Sequence, residues 1–443
     1  MFTENQINEM CEKFKNILHE LNENGKSIGS ESEAKTLANH FMIKKIPELM
    51  QAVIESAQSR SSSKKICPHC GGKTKFVSRR KKESITRFGR ITISEKYFTC
   101  YECKKSGFFN DKHELAHGKV DSDLAEILSL LCCYMPFNTA KDFVRRIFDL
   151  EISEFCIKET AEFAGKVLFE NEEIEAHNIK PERIAEMCPE ESPDLTYAMV
   201  DGGMINTKEG WKEAKLGLFF DQKDIIKNKS RKKKSKKKII NKTYVSSIAY
   251  GVKDFSCRFK LALMKSGKYW AKKFIVVSDG ADWIKNMFSE LFKGGYTHIL
   301  DYYHAVEHIW ECSKKLYGET SPKTKKWAKT MESLLWHGKV DRFFRLLNLY
   351  AQNEKNQTPI RDLYSYLYKR IDMIQYKEFR KMGYIIGSGA IESGIKNCIQ
   401  ARLKQTGMIW SKKGANAIAK LRSLYLSGNW DNVWLKPQAI PMK

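Results

Sequence analysis

Two short apolar runs, each closing on an acid, constrain this chain more than any other feature. Phe274–Ser278 (FIVVS) is continuous and β-branched, as expected of a strand buried on both faces, and it stops at Asp279 and Gly280. Trp283, Met287, Leu291 and Phe292 then recur at helical spacing, and Gly294 and Gly295 end that helix. Thr297–Leu300 (THIL) is a second short strand, closing on Asp301, with His304 three residues on. Strand, helix, strand of this kind predicts an α/β unit with a parallel sheet. In open α/β sheets, chemistry sits beyond the carboxyl ends of the strands. Two acids and a histidine are therefore expected at a site.

Upstream, residues 195–200 form another apolar strand ending on Asp201, Gly202 and Gly203. Residues 211–220 and 244–250 read as further strands. The predicted order is three strands, a helix, a strand ending at Asp279, a helix, and a strand ending at Asp301. Three antiparallel strands followed by βα units is the order of a ribonuclease H-like domain. Residues 321–381 are helical in pattern throughout. Trp327, Met331, Leu334, Leu335, Phe343, Phe344, Leu346 and Leu347 form apolar stripes that belong in a core. Gly387, Ser388, Gly389, Ala390, Ile391 and Glu392 lead into a helix with Ile391, Ile395, Ile399 and Leu403 on one face.

Four of twelve cysteines form two CxxC pairs, Cys67 with Cys70 and Cys100 with Cys103. Two such knuckles make a tetrahedral set of four thiolates, which zinc prefers. Residues 87–98 between them alternate like a β-hairpin, completing a zinc-ribbon pattern. Four thiolates leave no open position, so one structural Zn2+ is expected. The pattern points to a reducing compartment, and the other eight cysteines read as ordinary buried thiols. The alternative, a redox dithiol, usually has one CxxC opening a helix.

The formal net charge is +24, which in a folded protein implies a polyanionic partner, most often nucleic acid. Residues 227–242 (KNKSRKKKSKKKIINK) hold ten Lys or Arg and are expected to be an exposed loop contacting phosphates. Residues 1–60 are expected to be a helical N-terminal region, with Ile7, Met10, Phe14, Ile17, Leu18 and Leu21 on one face. No secretory signal or membrane-spanning run is read, so the expected setting is the cytoplasm. The ribbon spans 64–115. Residues 120–187 are expected to be helical, with three helices over Ser122–Leu168 and Ser122, Thr139 and Ser153 as N-caps, in an order compatible with a helix-turn-helix. Glu154, Glu159 and Glu162 weigh against DNA reading by its third helix. Residues 187–194, with two prolines and three acids, mark a boundary. The catalytic domain is expected over 195–432, with a helical insertion over about 321–382.

Hard cations such as Mg2+ bind through a few carboxylates, and a two-ion site serves phosphoryl displacement. Asp201, Asp279 and Glu392 can supply it, with Asp282 and Asp301 as competing ligands. A lone Asp after a strand is commonly a cap or turn residue; the signal lies in three ordered acids in a basic chain. The segments VDGGM, VVSDGADWI, ILDYYHAVEHIW, IGSGAIES, ARLKQTGMIWS and LRSLYLSG, in this order and after the CPHCGG…CYEC ribbon, resemble the ISKra-type insertion-sequence transposases. These are bacterial DDE enzymes of the Mutator-like group. The resemblance covers roughly residues 64–432. It implies an α/β, ribonuclease H-like fold with an all-helical insertion, and Asp201, Asp279 and Glu392 as catalytic acids holding two Mg2+ ions. Asp301 and His304 match the group's D/CxxH signature. The implied activity is metal-dependent cleavage and transfer of double-stranded DNA at element ends and target. The implied setting is nucleoid-associated in a bacterial cytoplasm, as a homo-oligomer assembled on DNA. The rival readings are a domesticated, non-cleaving DNA-binding regulator and a zinc-ribbon RNA-binding factor; intact, ordered acids argue against both.

Overall fold

The computed structural model describes residues 4–25, 29–59, 66–67, 69–108, 115–228, 236–353 and 357–434. The chain divides into two compact units, Met1–Leu168 and Phe169–Lys443. The division falls inside the stretch 120–187, so the last residues of that stretch go with the second unit.

In the first unit, α1 (Glu4–Gly25) and α2 (Glu31–Ser59) are joined by an ion pair between Lys45 and Glu20 at 3.0 Å. Ile7, Phe14 and Leu18 of the apolar face of α1 are exposed. Strands β1 (Thr74–Thr86) and β2 (Gly89–Cys100) form an antiparallel hairpin, and a short β3 (Ser106–Gly107) pairs with β2. The hairpin is longer than the 87–98 alternation suggested, and Arg87 and Phe88 are its turn rather than its first strand. The first strand was hidden because its side chains are largely exposed cations, which carry no period-two apolar signal. Cross-strand contacts compensate: Lys82 pairs with Glu95 at 2.9 Å, and the Arg80 guanidinium lies 3.8 Å from the Tyr97 ring centroid.

Helices α3 (Ser122–Tyr134), α4 (Phe137–Phe148) and α5 (Glu154–His177) follow. Two of the expected caps differ. Asp121, not Ser122, caps α3 by accepting from the Leu124 N–H at 2.8 Å. The N-cap of α4 is Pro136, not Thr139, and makes no side-chain cap bond. Ser153 does accept from the Cys156 N–H at 3.1 Å. Among the scattered cysteines, Cys132, Cys133, Cys312 and Cys398 are buried, whereas Cys11 and Cys188 are exposed.

In the second unit, α6 (Pro181–Met187) precedes β4 (Thr196–Thr207) and β5 (Gly210–Asp221). A two-stranded hairpin follows, β6 (Ile225–Asn228) with β7 (Lys236–Ile239), registering Lys227 against Lys237. Residues 227–228 and 236–239 of the lysine-rich tract are thus strand rather than loop, and 240–242 are a bend leading to β8; residues 229–235 lie outside the described residues. Next come β8 (Thr243–Ile248), α7 (Val252–Lys265), β9 (Phe274–Ser278), α8 (Asp282–Leu291), β10 (Thr297–Leu300) and α9 (Tyr302–Tyr317). The main sheet runs β10-β9-β4-β5-β8. Its β4, β5 and β8 are antiparallel, and β9 and β10 extend it in parallel with β4.

Every residue of β9 is buried, which explains its unbroken apolar run. One face of the sheet packs Ala198, Val200 and Phe219 against Phe255, Phe259, Ile284 and Phe288 of α7 and α8. Helices α10 (Pro322–Trp336), α11 (Val340–Ala351), α12 (Gln357–Tyr368) and α13 (Tyr376–Lys381) form the expected helical stretch. Trp327, Met331, Leu335, Phe343 and Leu347 are buried within it. The chain then returns through α14 (Gly389–Gly394), a π-helical turn over Ile395–Gln400, and α15 (Ala401–Leu403) to α16 (Lys412–Leu426) and α17 (Trp430–Trp434). Helix α16 covers the β8 edge. Asn416 accepts from the Ile248 N–H at 2.9 Å and donates to the Ile248 carbonyl at 3.0 Å, satisfying edge groups that would otherwise stay unpaired. Among the described residues, no helix is long and apolar enough to cross a membrane.

Candidate active site and metal centre

In the ribbon, the two CxxC pairs converge. Cys67 and Cys103 sulfurs stand 3.6 Å apart, and Cys70 and Cys100 sulfurs 3.5 Å apart. All four lie within 4.8 Å of one another. A tetrahedral site with bonds of about 2.3 Å needs sulfurs a little under 4 Å apart, so this group can hold a metal ion such as zinc. Burial opposes the Cys100 thiolate, but the N–H groups of Cys103 and Glu102 outweigh it and bring the thiol down to about 7.

The acids occupy a second place, built by strand register. On β9, Val277 faces Met199 of β4, and Ser278 faces Leu300 of β10. Carrying both registers one or two residues on brings Asp201, Asp279 and Asp301 into one row across three adjacent strands. Asp279 and Asp301 follow the last residues of β9 and β10, whereas Asp201 stands inside β4, which does not end at Val200 as expected but continues in register with β5 to Thr207. Each is held by local backbone. Asp201 accepts from the Gly202 N–H at 2.7 Å, Asp279 from the Ala281 N–H at 2.9 Å, and Asp301 from the Tyr303 N–H at 2.8 Å. Asp301 is buried and caps α9; Asp201 is half-buried and Asp279 exposed.

Glu392 reaches this row because its segment is stitched to the sheet. The Ile385 N–H donates to the Tyr197 hydroxyl at 3.2 Å, and Tyr302 donates to the Ile386 carbonyl at 2.9 Å. Gly387 follows, where a Cβ would stand 2.9 Å from the Tyr303 ring, so only glycine lets the strand-end helix approach this closely. Ser388 then bridges two carboxylates. Its N–H donates to Asp301 Oδ2 at 3.2 Å, and its hydroxyl contacts both Asp301 Oδ2 and, at 2.8 Å, Glu392 Oε1. A hydroxyl has one hydrogen and can donate to only one of them at a time. Glu392 itself is exposed, while Ile391, Ile395 and Ile399 anchor its helix. The π-helical turn directly after α14 is a feature common at functional sites.

Burial is the main cause that pushes the Asp201 carboxyl above its ordinary value of 3.8. The Gly202 N–H opposes this, the negative charges of Asp279 and Glu392 add to it, and a positive His304 opposes it. His304 lies on α9, with its Nδ1 3.5 Å from Glu307. Among the described residues, only the cysteine group has three or more such ligand atoms all within 4.8 Å of one another, so the carboxylates are neighbours without that tight convergence. Asp282 points to solvent, with its side chain 94% exposed, and faces Arg370 at 3.9 Å.

Sequence reasoning gave no role to the residues that clamp the Asp279 turn. Gly280 has φ +80°, and a Cβ there would meet Arg370 at 2.5 Å. The Arg370 Nε and Nη2 donate to the Gly280 carbonyl at 2.9 and 2.7 Å. The Tyr366 hydroxyl donates to the Asp279 carbonyl at 2.8 Å, and the Arg370 guanidinium lies 4.4 Å from the Tyr366 ring centroid. Neither Tyr366 nor Arg370 carries a local sequence signal. Asp301, the competing ligand of the sequence reading, accepts from the Tyr303 N–H on Oδ1 and contacts Ser388 through Oδ2.

Residues 42–436 match the uncharacterised protein family UPF0236. Among similar curated proteins are UPF0236 proteins of Caldanaerobacter subterraneus subsp. tengcongensis. One, whose name joins four locus designations, is 27% identical over 157 residues, 35% of this chain and 32% of its own length. Another joins eleven locus designations and is likewise 27% identical over 157 residues, 35% of this chain and 32% of its own. A third is 24% identical over 263 residues, 54% of this chain and 51% of its own. The chain thus spans about a third to a half of the length of these relatives. Because the family match runs through the ribbon, all three acids and the helical stretch between them, this chain belongs to the UPF0236 family.

Proposed function

We propose that this protein is a DNA transposase of the DDE type, with a ribonuclease H-like catalytic domain in its second unit. The observation that carries the reading is the row of Asp201, Asp279 and Asp301 across three adjacent strands of a sheet ordered β10-β9-β4-β5-β8, with Glu392 linked to Asp301 through Ser388. That order, with three antiparallel strands extended by two parallel ones, supports the ribonuclease H-like assignment, and α10–α13 correspond to the helical insertion before the glutamate. The eleven locus designations carried by one relative add support, since an element that copies itself leaves one protein at many loci.

Asp201, Asp279 and Glu392 offer the oxygen donors that hard divalent cations take and are at least partly exposed, and they would have to draw closer together than the 4.8 Å grouping seen at the cysteines to share one ion. Bound Mg2+ would supply charge stabilisation to phosphoryl displacement. The protein's own part is to hold Asp201 and Asp279 in one row on adjacent strands, to tether Glu392 through Ser388, and to carry His304 on α9, which Asp301 caps. His304 is a positioning or phosphate-facing group, since a neutral imidazole is not a typical Mg2+ ligand. The Cys67, Cys70, Cys100 and Cys103 group takes one structural Zn2+, and the basic surface carries affinity for double-stranded DNA. The protein would act in a bacterial cytoplasm, as a homo-oligomer assembled on DNA.

The test is cleavage of DNA carrying the inverted repeats that flank the gene, with Mg2+. Asp201→Ala, Asp279→Ala and Glu392→Ala should each abolish cutting and leave DNA binding nearly intact. Cleavage by Glu392→Ala at the wild-type rate would refute the assignment. DNA binding without any cutting by the wild type would favour the non-cleaving regulator.

A further inference from the structure

The β4–β5 hairpin runs on past the sheet and meets the segment 404–409. Trp410 donates to the Asn206 carbonyl at 3.2 Å, and Lys208 donates to the Trp410 carbonyl at 2.9 Å. Between them lies a groove of about 360 Å³ lined by Asn206, Trp211, Lys404, Gln405 and Ile409 among others. Trp211 is 57% exposed and Ile409 60%, and Met204 on the same hairpin is 45% exposed. Asn206 faces Trp211 across the ladder. The Lys404 ammonium stands 5.7 Å from the Trp211 ring centroid. Gln405 Nε2 donates to the Ala401 carbonyl at 2.8 Å, fixing the amide and leaving its oxygen as an acceptor. An exposed indole with amides beside it and cations at its rim matches base stacking joined to phosphate contact.

We propose that this groove holds an unpaired nucleobase, stacked on Trp211, with Lys404 meeting the adjoining phosphate. The choice of ligand rests on the DNA reading above; the groove itself adds where an unpaired base goes. Charge selects the occupant: Lys404, Lys208 and Lys212 stand at this end of the hairpin with Glu209 as the acid at its tip. An apolar peptide or a second copy of this chain would have to bury those cations unpaired. Asn206 lies five residues beyond Asp201 on β4, about 17 Å at 3.4 Å per residue.

The probes are a mixed-sequence single-stranded 20-mer and its duplex, titrated against the full chain by fluorescence anisotropy at two salt concentrations. Trp211→Ala should weaken single-strand binding about 10-fold or more and change duplex binding less than about two-fold. Trp211→Phe should retain most of the affinity, and Lys404→Gln should reduce the salt slope by about one. Trp211 is exposed, so its truncation should leave the thermal transition in place. Unchanged single-strand affinity in Trp211→Ala overturns the proposal. So does a loss of self-association in that variant with single-strand affinity kept, which would make the groove a protein interface. Wild-type protein that binds duplex but not single strand overturns the groove alone; protein that binds neither overturns the DNA reading as well.

Discussion

Replacing Ser388 with Ala removes the one hydroxyl between buried Asp301 and exposed Glu392. Hydrogen bonds to charged groups contribute about 1.5–3 kcal/mol. Asp301 is 2% exposed, so little water can replace the lost donor, but it keeps the N–H groups of Ser388 at 3.2 Å and Tyr303 at 2.8 Å. A net loss of about 2 kcal/mol follows, and for a unit of this size a fall in Tm of roughly 4–8 °C. Activity should fall further than stability implies. Glu392 keeps its helix but loses its tether at 2.8 Å, and a displacement of about 1 Å at a reacting centre costs on the order of 100-fold. Ser388→Thr restores the hydroxyl and should recover most of the rate. Metal-dependent cleavage of flanking-repeat DNA, read beside differential scanning fluorimetry, separates the two effects. A Ser388→Ala protein that melts earlier yet cuts at the wild-type rate would refute the tether, as would a Ser388→Thr protein as slow as the alanine variant.

Asp201→Asn should raise Tm at neutral pH, because the folded-state carboxyl is held above its ordinary 3.8. An ionised Asp201 therefore penalises the fold, a penalty absent below 3.8 that grows as pH rises through the elevated folded value. A Tm gain that persists undiminished below pH 3.8 would contradict this. Chelation, or Cys100→Ser, should unfold the ribbon, since a unit this small depends on its metal; loss of its β circular dichroism together with release of about one zinc per chain is the expected readout. Gly280→Ala combines a left-handed backbone with a contact at 2.5 Å on Arg370. It should cost about 2–3 kcal/mol and abolish cutting; a variant of wild-type stability would show that the Asp279 turn is not clamped.

The strand ends before Asp279 and Asp301 were legible because buried strands leave short continuous apolar runs whose end is visible by contrast; Asp201 marks no such end, since β4 runs on through Gly202 and Gly203 to Thr207, a continuation those glycines disguise as a turn. The cysteine knuckles were legible because metal geometry fixes their spacing. Strand β1 was not, since its exposed cations read as loop, and the ends of the lysine tract were missed as strand for the same reason. Ser153 caps as expected, but the cap of α3 slipped by one residue, because Asp121 and Ser122 are both good caps and only backbone geometry chooses between them, and that of α4 slipped by three, to Pro136. The coupling of Asp301 to Ser388 joins residues 87 apart. Nothing local in either segment marks the pairing. Tyr366 and Arg370 lie in a stretch whose pattern reads only as helical, and their polar ends reach the Asp279 turn only once the chain has folded back.

Anyone trimming this chain to a minimal core would be tempted to splice out α10–α13, since the sheet and its two flanking helices look complete without them. The cut would also remove the phenol and guanidinium that hold the Asp279 and Gly280 carbonyls. The excised helices are better regarded as the outer jaw of a vice than as cargo. A shortened protein could keep its sheet and its acids and still lose the grip that fixes one of them in place.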